Sequence, residues 1–525
     1  MNDNIPILLK EYAVSRWTSD PYSLGGWSVL RRGASPSTRS FLGQTPFGDN
    51  RNNGGTILLA GEYTNPTNSG MVHGAYLEGV RAATWCLEQQ QQAKRDATSS
   101  TDSDGGETLA AKKIRVVIIG AGATGLACAR ALHDSKEEKF QGDNVVVLEA
   151  RSRIGGRVHT VSLESSTKTA ELGANWLQRR PHNPLYDLIV TPHQLQIQET
   201  DFLQPLEFPT SRRVAPDRVD LIMNEFAARC QAKAGRYSNN SEELDNLKGS
   251  VKLQVDDNAD TSIQDVLDQW IKDMANDTNS SFPYTQAQLL HVMEGELMVD
   301  TGVPLSEMSS QFGMEPGVGE GDAWVVGGYD QVLQIIAEPI KHQIQLNCET
   351  TMIQSREADA TATNTDNHAP LLIEYQETHS ENRTNETKHL LADLVVCTVP
   401  AAVLQNEGIK FVPPLPQRHQ TALHQLATSQ VEKVVLRFSH RWWPISPCNN
   451  GNDYIRVHGS KFGDVSEWLD CTDAYNGVPI LSGLFSGPWL RDIWYHEDGS
   501  NRCEKDIAER VVACLKDAIL QEEER

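Results

Sequence analysis

The sequence has few of the features that mark secreted or membrane proteins. Its nine cysteines are scattered and odd in number, and none forms a CxxC pair, which predicts reduced thiols in an intracellular protein. No apolar run approaches the roughly 20 residues that span a membrane. The first residues, MNDNIPILLKEY, lack the basic region and long apolar core of a signal peptide. The final EEER is not a recognised targeting signal. We therefore expect a cytoplasmic location, with the nucleus as an alternative, and no membrane attachment.

Positive charge is also scarce. Lys and Arg together number 47 against 70 Asp and Glu, which gives a formal net charge of −23. This balance argues against binding to nucleic acid and suits either a cationic substrate or simple solubility. We find neither a Ser-His-Asp set nor a metal-ligand cluster, so no bound metal is expected. The length of 525 residues is enough for two substantial, interleaved domains with buried cores.

Four short apolar segments predict strands. They begin at Thr56 (TILLAGE), Ile114 (IRVVIIG), Asn144 (NVVVLEA) and Leu391 (LADLVVCTVP). Runs of this kind are typical of the buried strands of a parallel sheet. A helix is predicted after the first of them, over residues 71–89.

Three polar segments interrupt this pattern. Residues 88–113 are low in complexity and have no apolar periodicity, which predicts a flexible linker. Residues 231–260 and 355–389 are interpreted as surface insertions between ordered elements. The sequence assigns no chemistry to any of the three.

A glycine-rich turn follows the second predicted strand. Gly120, Gly122 and Gly125 form GxGxxG between a strand and a helix. The first glycine permits a tight turn, the second lets the backbone approach a pyrophosphate, and the third lets the helix pack on the strand. Glu149 ends the next predicted strand, where a carboxylate can accept hydrogen bonds from ribose hydroxyls. An ordinary loop remains the alternative for the glycines.

Two further motifs make the pattern specific. ARSRIGGRVHT begins at Ala150 and ELGANWLQ at Glu171. Together with GxGxxG, in this order and spacing, they resemble the FAD-binding opening of flavin amine oxidases. The segments MVHGAYLEG and EKVVLRF are similar to the polyamine oxidase and lysine-specific histone demethylase branch. The resemblance implies an α/β fold, with a glutathione-reductase-like FAD-binding domain and an interleaved α+β substrate domain.

The order of the segments departs from that family. Residues 56–86 resemble its closing FAD-binding segment, yet they precede the opening one, which predicts a circularly permuted chain. The predicted units are a closing FAD-binding segment (1–90), a flexible linker (91–113), an opening FAD-binding segment (114–180), a first part of the substrate domain (181–321), FAD-domain strands with a polar insertion (322–412) and a second part of the substrate domain (413–525).

The resemblance implies a set of cofactor-binding residues. Glu62 matches a carboxylate near the ribityl or ribose part of FAD, and Val72 matches a helix start whose N–H approaches the flavin pyrimidine ring. A plain helix N-terminal carboxylate is the alternative for Glu62. The full set is Gly61, Glu62, Val72, Gly120, Gly122, Gly125, Glu149, Arg151, Gly155, Gly156, Arg157, Gly173, Ala174, Asn175 and Trp176.

The resemblance also implies three catalytic positions. Lys433 matches the lysine that holds a water against flavin N5, Trp27 matches an aromatic that lines the substrate amine, and Met71 falls at the position of its partner. A strand lysine and two core residues are the alternatives. Gly26 stands where covalent relatives have a cysteine, so the FAD is expected to be noncovalent. Gln178 replaces the usual polar anchor after GANW, which counts against recognition of a long polycation.

The expected activity is oxidation of a C–N bond in a primary or secondary amine, with a polyamine favoured. The expected partners are a small-molecule amine and O₂, which would be reduced to H₂O₂, and the expected state is a monomer or homodimer. Two alternatives stay open. One is a histone-lysine demethylase-like flavoenzyme; the other is a catalytically inactive flavin-fold protein or a chain of joined gene fragments.

Overall fold

The structure is a computed structural model of the whole chain. It describes residues 6–48, 56–99, 114–137, 140, 142–163, 169–178, 182–199, 206–208, 216–233, 261–276, 284–313, 322–356, 370–378, 387–444, 454–459, 463–472, 475 and 477–523. Within these ranges, no helix is both long and apolar enough to cross a membrane.

The described residues form 22 strands and 12 α-helices. The strands are β1 Leu9–Val14, β2 Ser28–Leu30, β3 Ile57–Leu59, β4 Val116–Ile119, β5 Val145–Leu148, β6 Thr160–Ser162, β7 Thr169–Glu171, β8 Trp176–Leu177, β9 Ile197–Glu199, β10 Leu206–Phe208, β11 Ala323–Val325, β12 Ile344–Gln345, β13 Cys348–Ser355, β14 Leu371–Glu377, β15 Thr387–Ala392, β16 Leu394–Cys397, β17 Lys410–Val412, β18 Leu426–Thr428, β19 Val431–Phe438, β20 Tyr454–His458, β21 Val465–Asp470 and β22 Ile480–Ser486. The helices are α1 Pro36–Gln44, α2 Val72–Ser99, α3 Ala123–Asp134, α4 Pro216–Lys233, α5 Ile263–Asn276, α6 Gln286–Met293, α7 Val299–Thr301, α8 Asp330–Ala337, α9 Ala401–Gln405, α10 Gln417–His424, α11 Gly487–Trp494 and α12 Glu504–Glu523; a π-helical turn, Glu294–Met298, joins α6 to α7.

A five-stranded parallel sheet contains all four strands that the sequence predicts. Its order is β12-β5-β4-β16-β3, and every neighbouring pair is parallel. Val116 and Ile118 face a core shared with α2, α3 and α8, whereas Val117 and Ile119 face a second core shared with α1, α9 and α10. Both faces of the sheet are therefore buried, which explains why its strands are continuous apolar runs.

A six-stranded sheet forms a second layer. Its order is β1-β19-β22-β21-β20-β10, and its pairs are antiparallel except for β10 with β20. Helices α11 and α12 cover it around a core that includes Trp468, Phe485 and Trp494. The fold is thus a mixed α/β architecture in which two sheets frame the site described below.

The N-terminal residues contribute to both sheets. Ile57 of β3 pairs in parallel register with Val395 of β16, and Ala13 of β1 pairs with Val435 of β19. Helix α2 packs its buried side chains, among them Ala82 and Cys86, into the core beside α3.

All three predicted polar segments are regular in part. The segment 231–260 begins with the end of α4, which extends to Lys233, and residues 234–260 lie outside the described residues. Helix α2 continues to Ser99, so residues 91–99 of the predicted flexible linker are helical, because Gln, Ala, Lys and Arg in this stretch favour a helix and no Gly or Pro interrupts it. Residues 100–113 lie outside the described residues. The expected insertion over 355–389 contains β14, whose residues Leu371 and Ile373 are buried. Buried residues alternate with partly buried ones along β14, as in a half-buried strand.

Candidate functional site

A cavity of about 670 Å³ lies between the two sheets. It is lined by the residues that follow β3, β4, β5 and β16, and by residues on β19, β20 and β21. The carboxyl edge of a parallel sheet is where ligands bind in open α/β folds. Every predicted cofactor-binding and catalytic residue lines this cavity except Gly125.

The glycine turn between β4 and α3 faces the cavity. Gly120 has φ +101°, a conformation that favours glycine. Gly122 is the N-cap of α3, and a Cβ added there would meet nothing within 4 Å. A Cβ on Gly125 would lie 1.9 Å from the Gly120 carbonyl oxygen. Gly125 therefore allows the helix to pack against the turn, while Gly122 leaves open space at a helix N-terminus that attracts anions.

Glu149 braces the same turn. Its carboxylate accepts hydrogen bonds from the N–H of Ala121 at 2.7 Å and the N–H of Arg151 at 2.9 Å. The side chain is 4% exposed and lines the cavity. A carboxylate offers about four acceptor sites, so Glu149 retains capacity for the hydroxyls of a bound ribose.

Arg151 is anchored by residues that the sequence reading did not identify. Its guanidinium donates to Asp20 at 2.7 Å and lies 5.3 Å from the centre of the Tyr22 ring. Burial, followed by the neighbouring Glu349 carboxylate, raises the pKa of Tyr22 to about 12. Asp20 is 131 positions from Arg151 in the chain, and Tyr22 is nearly as far away, so no local signal could have paired them.

Glu62 is the centre of a buried polar cluster. It accepts hydrogen bonds from Ser28 Oγ at 2.7 Å and Gly70 N at 3.0 Å, and it pairs with Arg157 at 3.1 Å. Arg39, which is 1% exposed, donates to Ser28. Burial opposes ionisation, but the charges of Arg157 and Arg39 and the two hydrogen bonds hold the pKa of Glu62 below its usual value. The sequence did not predict the roles of Ser28 and Arg39.

Trp27, Met71 and Val72 all line the cavity. Val72 begins the 28-residue helix α2, and the first turn of a helix presents N–H groups without intrahelical partners. Met71 is 6% exposed. A Cβ on Gly70 would lie 3.3 Å from the Trp27 ring, so the indole packs on the backbone that leads into α2.

Lys433 projects from β19 into the cavity. Its Nζ donates to Asn175 Oδ1 at 2.6 Å and to the carbonyl oxygen of Gly173. The side chain is 7% exposed. Burial lowers the pKa of Lys433 to about 8, although the charge of Glu171 opposes the shift. An ammonium has three donors, so one N–H remains for a water or a substrate atom.

The lining of the cavity includes a charged cluster that the sequence did not indicate, and we call this part its charged end; it consists of Glu296, Arg456 and Glu467. Arg456 lies between Glu296 and Glu467, with N–O distances of 3.0 Å to each, and all three line the cavity. Gln178 lines the cavity as well; the adjacent Arg179 and Arg180 lie outside the described residues. Glu296 and Arg456 are 160 positions apart, which hides their pairing from a reading of local patterns.

Comparisons with known proteins agree on one family. The chain is 27% identical over 375 residues to lysine-specific histone demethylase 1 homolog 3 of Oryza sativa subsp. japonica, covering 71% of this chain and 40% of that protein. It is 24% identical to polyamine oxidase 2 of Arabidopsis thaliana over 78% of this chain and 74% of that protein. The chain thus spans well under half the length of the demethylase homologue.

A solved structure supports the fold. A redesigned putrescine oxidase superposes with a TM-score of 0.51 at 17% identity, covering 77% of this chain and 81% of the other. At this identity the likeness concerns the fold alone.

The sequence model of one family, described as flavin containing amine oxidoreductase, matches residues 8–87 and 123–523. Its cofactor, FAD, fits the cavity. Gly122 leaves room for a diphosphate at the start of α3, Glu149 directly follows β5, where a ribose would lie, and the first turn of α2 offers N–H groups to an electron-rich ring. The chain belongs to the flavin-containing amine oxidoreductase family.

Proposed function

We propose that the protein oxidises a C–N bond of a primary or secondary amine, with a polyamine as the favoured substrate and O₂ reduced to H₂O₂. One observation carries this proposal. Lys433, Trp27 and Met71 line the same cavity as the residues suited to hold the flavin. Bound FAD supplies the acceptor of two electrons, and the protein positions the amine.

The chain's own residues can orient an amine. A Cβ on Gly26 would lie 2.8 Å from Val431 Cγ2, so the backbone before Trp27 packs on β19 two residues from Lys433. The indole of Trp27 offers a cation–π face, and Met71 adapts to alkyl chains. Lys433, fixed by Asn175 and Gly173, can hold a water at a constant position.

The charged end of the cavity supports a substrate with a second cationic group. When Glu296 and Glu467 are ionised, the single guanidinium of Arg456 leaves this end with a net negative charge. Burial raises the pKa of Glu467, and Arg456 opposes that shift. An ammonium at this end would add a favourable charge interaction in a site of low dielectric.

The test combines steady-state and rapid-mixing measurements. Peroxide release is screened against spermine, spermidine, their N-acetyl forms, simple monoamines and a methylated-lysine peptide. Flavin reduction by each amine is followed without oxygen, and reoxidation is followed separately. The proposal expects reduction by at least one small amine. Absence of reduction by every compound, with FAD fully bound, would favour an inactive flavin-fold protein.

A histone-lysine demethylase is the second candidate. The 27% identity to a demethylase homologue favours it. The chain spans 74% of polyamine oxidase 2 and 40% of the demethylase homologue. Turnover of the methylated peptide alone would select the demethylase.

We also propose that residues 1–90 and 114–525 form one flavin site in circularly permuted order. Three contacts support this proposal. Strand β3 is hydrogen-bonded to β16, β1 is hydrogen-bonded to β19, and the carboxylate of Glu62 pairs with Arg157.

A further inference from the structure

Behind the charged end of the cavity lies a cluster that the flavin chemistry does not use. It consists of His291 on α6, Glu294 at the first position of the π-helical turn, and His458 at the end of β20. One ligand atom from each of the three side chains lies within 4.8 Å of the other two. Glu294 and His458 are 7% and 8% exposed.

Contacts within the cluster hold it in a defined arrangement. His458 Nδ1 lies 2.9 Å from a Glu294 carboxylate oxygen, and the other oxygen accepts the N–H of Gly463. The rings of His291 and His458 are stacked, with centroids 3.9 Å apart and planes inclined by 27°. Two protonated imidazoles at this separation would repel each other, whereas two neutral imidazoles each offer a lone pair to a shared cation.

The surrounding charge favours a cation. A Cβ on Gly295 would lie 2.4 Å from the Arg456 guanidinium, so Arg456 adjoins the cluster, but it also pairs with Glu296 and Glu467. Two carboxylates, Glu296 and Glu467, therefore share one guanidinium, and the carboxylate of Glu294 lies nearby and pairs with His458 instead. A bound dication would offset the excess negative charge.

We propose that His291, Glu294 and His458 bind one divalent transition-metal ion, of which Zn²⁺ is the best match. Two imidazole nitrogens and one carboxylate oxygen are a ligand set typical of Zn²⁺, and a water takes the fourth position. Zinc–ligand distances of about 2.0–2.2 Å require ligand atoms about 3.5 Å apart. Binding therefore requires the stacked imidazole rings, whose planes are inclined by 27°, to turn until one nitrogen of each points at the ion, while the ligand atoms close from separations of up to 4.8 Å.

The metal site would link two parts of the fold. His291 and Glu294 belong to the helical segment whose next residues include Glu296, and His458 is two residues from Arg456 on β20. Zinc would hold these elements together and so fix the Glu296–Arg456 pair at the charged end of the cavity. The ion is a structural cross-link, and the proposed amine oxidation does not require it as a reactant.

The site can be tested by metal binding, independently of amine oxidation. The full-length flavoprotein is treated with a chelator and titrated with ZnCl₂ by calorimetry, with MgCl₂ as a hard-cation comparison. We expect one Zn²⁺ per chain, no Mg²⁺ binding at the same concentrations, and a higher Tm with Zn²⁺. Absence of zinc binding by the wild-type protein overturns the proposal without any variant.

Variants locate the bound ion. His291→Gln and His458→Gln are expected to weaken Zn²⁺ binding at least tenfold, whereas His424→Gln, at an exposed position on α10, leaves it unchanged. Co²⁺ bound by the wild-type protein should give visible d–d absorption that both cluster variants lose. If His458→Gln does not fold, the half-buried His291 still decides the outcome. Zinc binding that survives either cluster substitution places the ion elsewhere and overturns the proposal.

Discussion

Lys433 Nζ donates a hydrogen bond to Asn175 Oδ1 at 2.6 Å, across 258 positions of sequence. The contact joins β19 of the six-stranded sheet to the GANW segment beside the cofactor-binding turn. Both partners line the cavity. The amine of Lys433 is therefore held by hydrogen bonds on two sides and directed towards the place where flavin and substrate would meet.

Replacement of Lys433 by Met should slow flavin reduction or reoxidation well over tenfold, a barrier change above about 1.4 kcal/mol, while FAD stays bound. Methionine keeps the length of the side chain but cannot hold a water by hydrogen bonds. Rapid mixing measures the two half-reactions separately. Lys410→Met, at an exposed position on β17, is the matched control. Unchanged rates in the Lys433 variant would remove this residue from the mechanism.

The FAD should be released by acid. Gly26 offers no sulfur for a thioether, and a side chain there would collide with Val431. After acid precipitation, the yellow colour should appear in the supernatant. Colour retained in the pellet would instead indicate a covalent link to another residue.

Glu171 should make the protein less stable as the pH rises towards neutrality. Burial raises its pKa to about 7 from 4.5, although hydrogen bonds from Tyr329 and Thr160 and the charge of Lys433 oppose the shift. Between pH 4.5 and about 7, the folded state then binds more protons than the unfolded state. The contribution of Glu171 to the free energy of unfolding therefore falls as the pH rises through this range.

Glu171→Gln should remove this pH dependence. Glutamine retains an acceptor for the Tyr329 N–H, which lies 2.7 Å from the carboxylate. Relative to the wild type, the free energy of unfolding of the variant should increase by about 1–3 kcal/mol between pH 5 and pH 8. Tm values of the two FAD-saturated proteins, measured across that range, provide the test. A constant difference between their Tm values would show that Glu171 does not titrate in this window.

Local patterns predicted the elements that surround the candidate cofactor site. The apolar runs of β3, β4, β5 and β16 were visible because both faces of their sheet are buried. The glycine turn was visible because three backbone requirements fall within six residues. Glu149 was predicted because it ends a strand at a fixed distance from that turn.

Other parts of the site depend on long-range contacts. The pairing of Asp20 with Arg151 and the cluster of Ser28, Arg39 and Glu62 follow from tertiary packing. His291 and Glu294 are spaced to share one helix face, but His458 joins them across 164 positions. For this reason no local pattern indicated the cluster that we propose to bind a metal ion.

Cleavage between residues 100 and 113 should leave the two pieces associated and yellow. Strand β3 lies in the parallel sheet beside β16, and α2 packs on α3 through buried side chains. A protease site inserted in this segment allows the cut, and size exclusion then tests whether the pieces separate. A second variant carries the protease site in the exposed turn around Gly499. It is the control for the effect of cutting the chain. Separation of the two pieces, with loss of the bound yellow flavin, would contradict a shared flavin site.

Gly122 and Gly125 should fail in different ways when replaced by alanine. A Cβ at Gly122 meets no protein atom within 4 Å and the residue has φ −75°, so the apoprotein should fold with a nearly unchanged Tm. The added methyl would occupy space reserved for the diphosphate and should weaken FAD binding at least tenfold.

At Gly125 the added Cβ would lie 1.9 Å from the Gly120 carbonyl oxygen. Alanine inside a helix ordinarily stabilises by about 0.5–1 kcal/mol relative to glycine, but this contact forces α3 away from the turn and should destabilise by about 1–3 kcal/mol or more. The apoprotein Tm should therefore fall for Gly125→Ala and stay nearly unchanged for Gly122→Ala. Fluorescence titration with FAD completes the comparison. Equal loss of Tm in both variants would contradict the assignment of Gly122 to the ligand and Gly125 to helix packing.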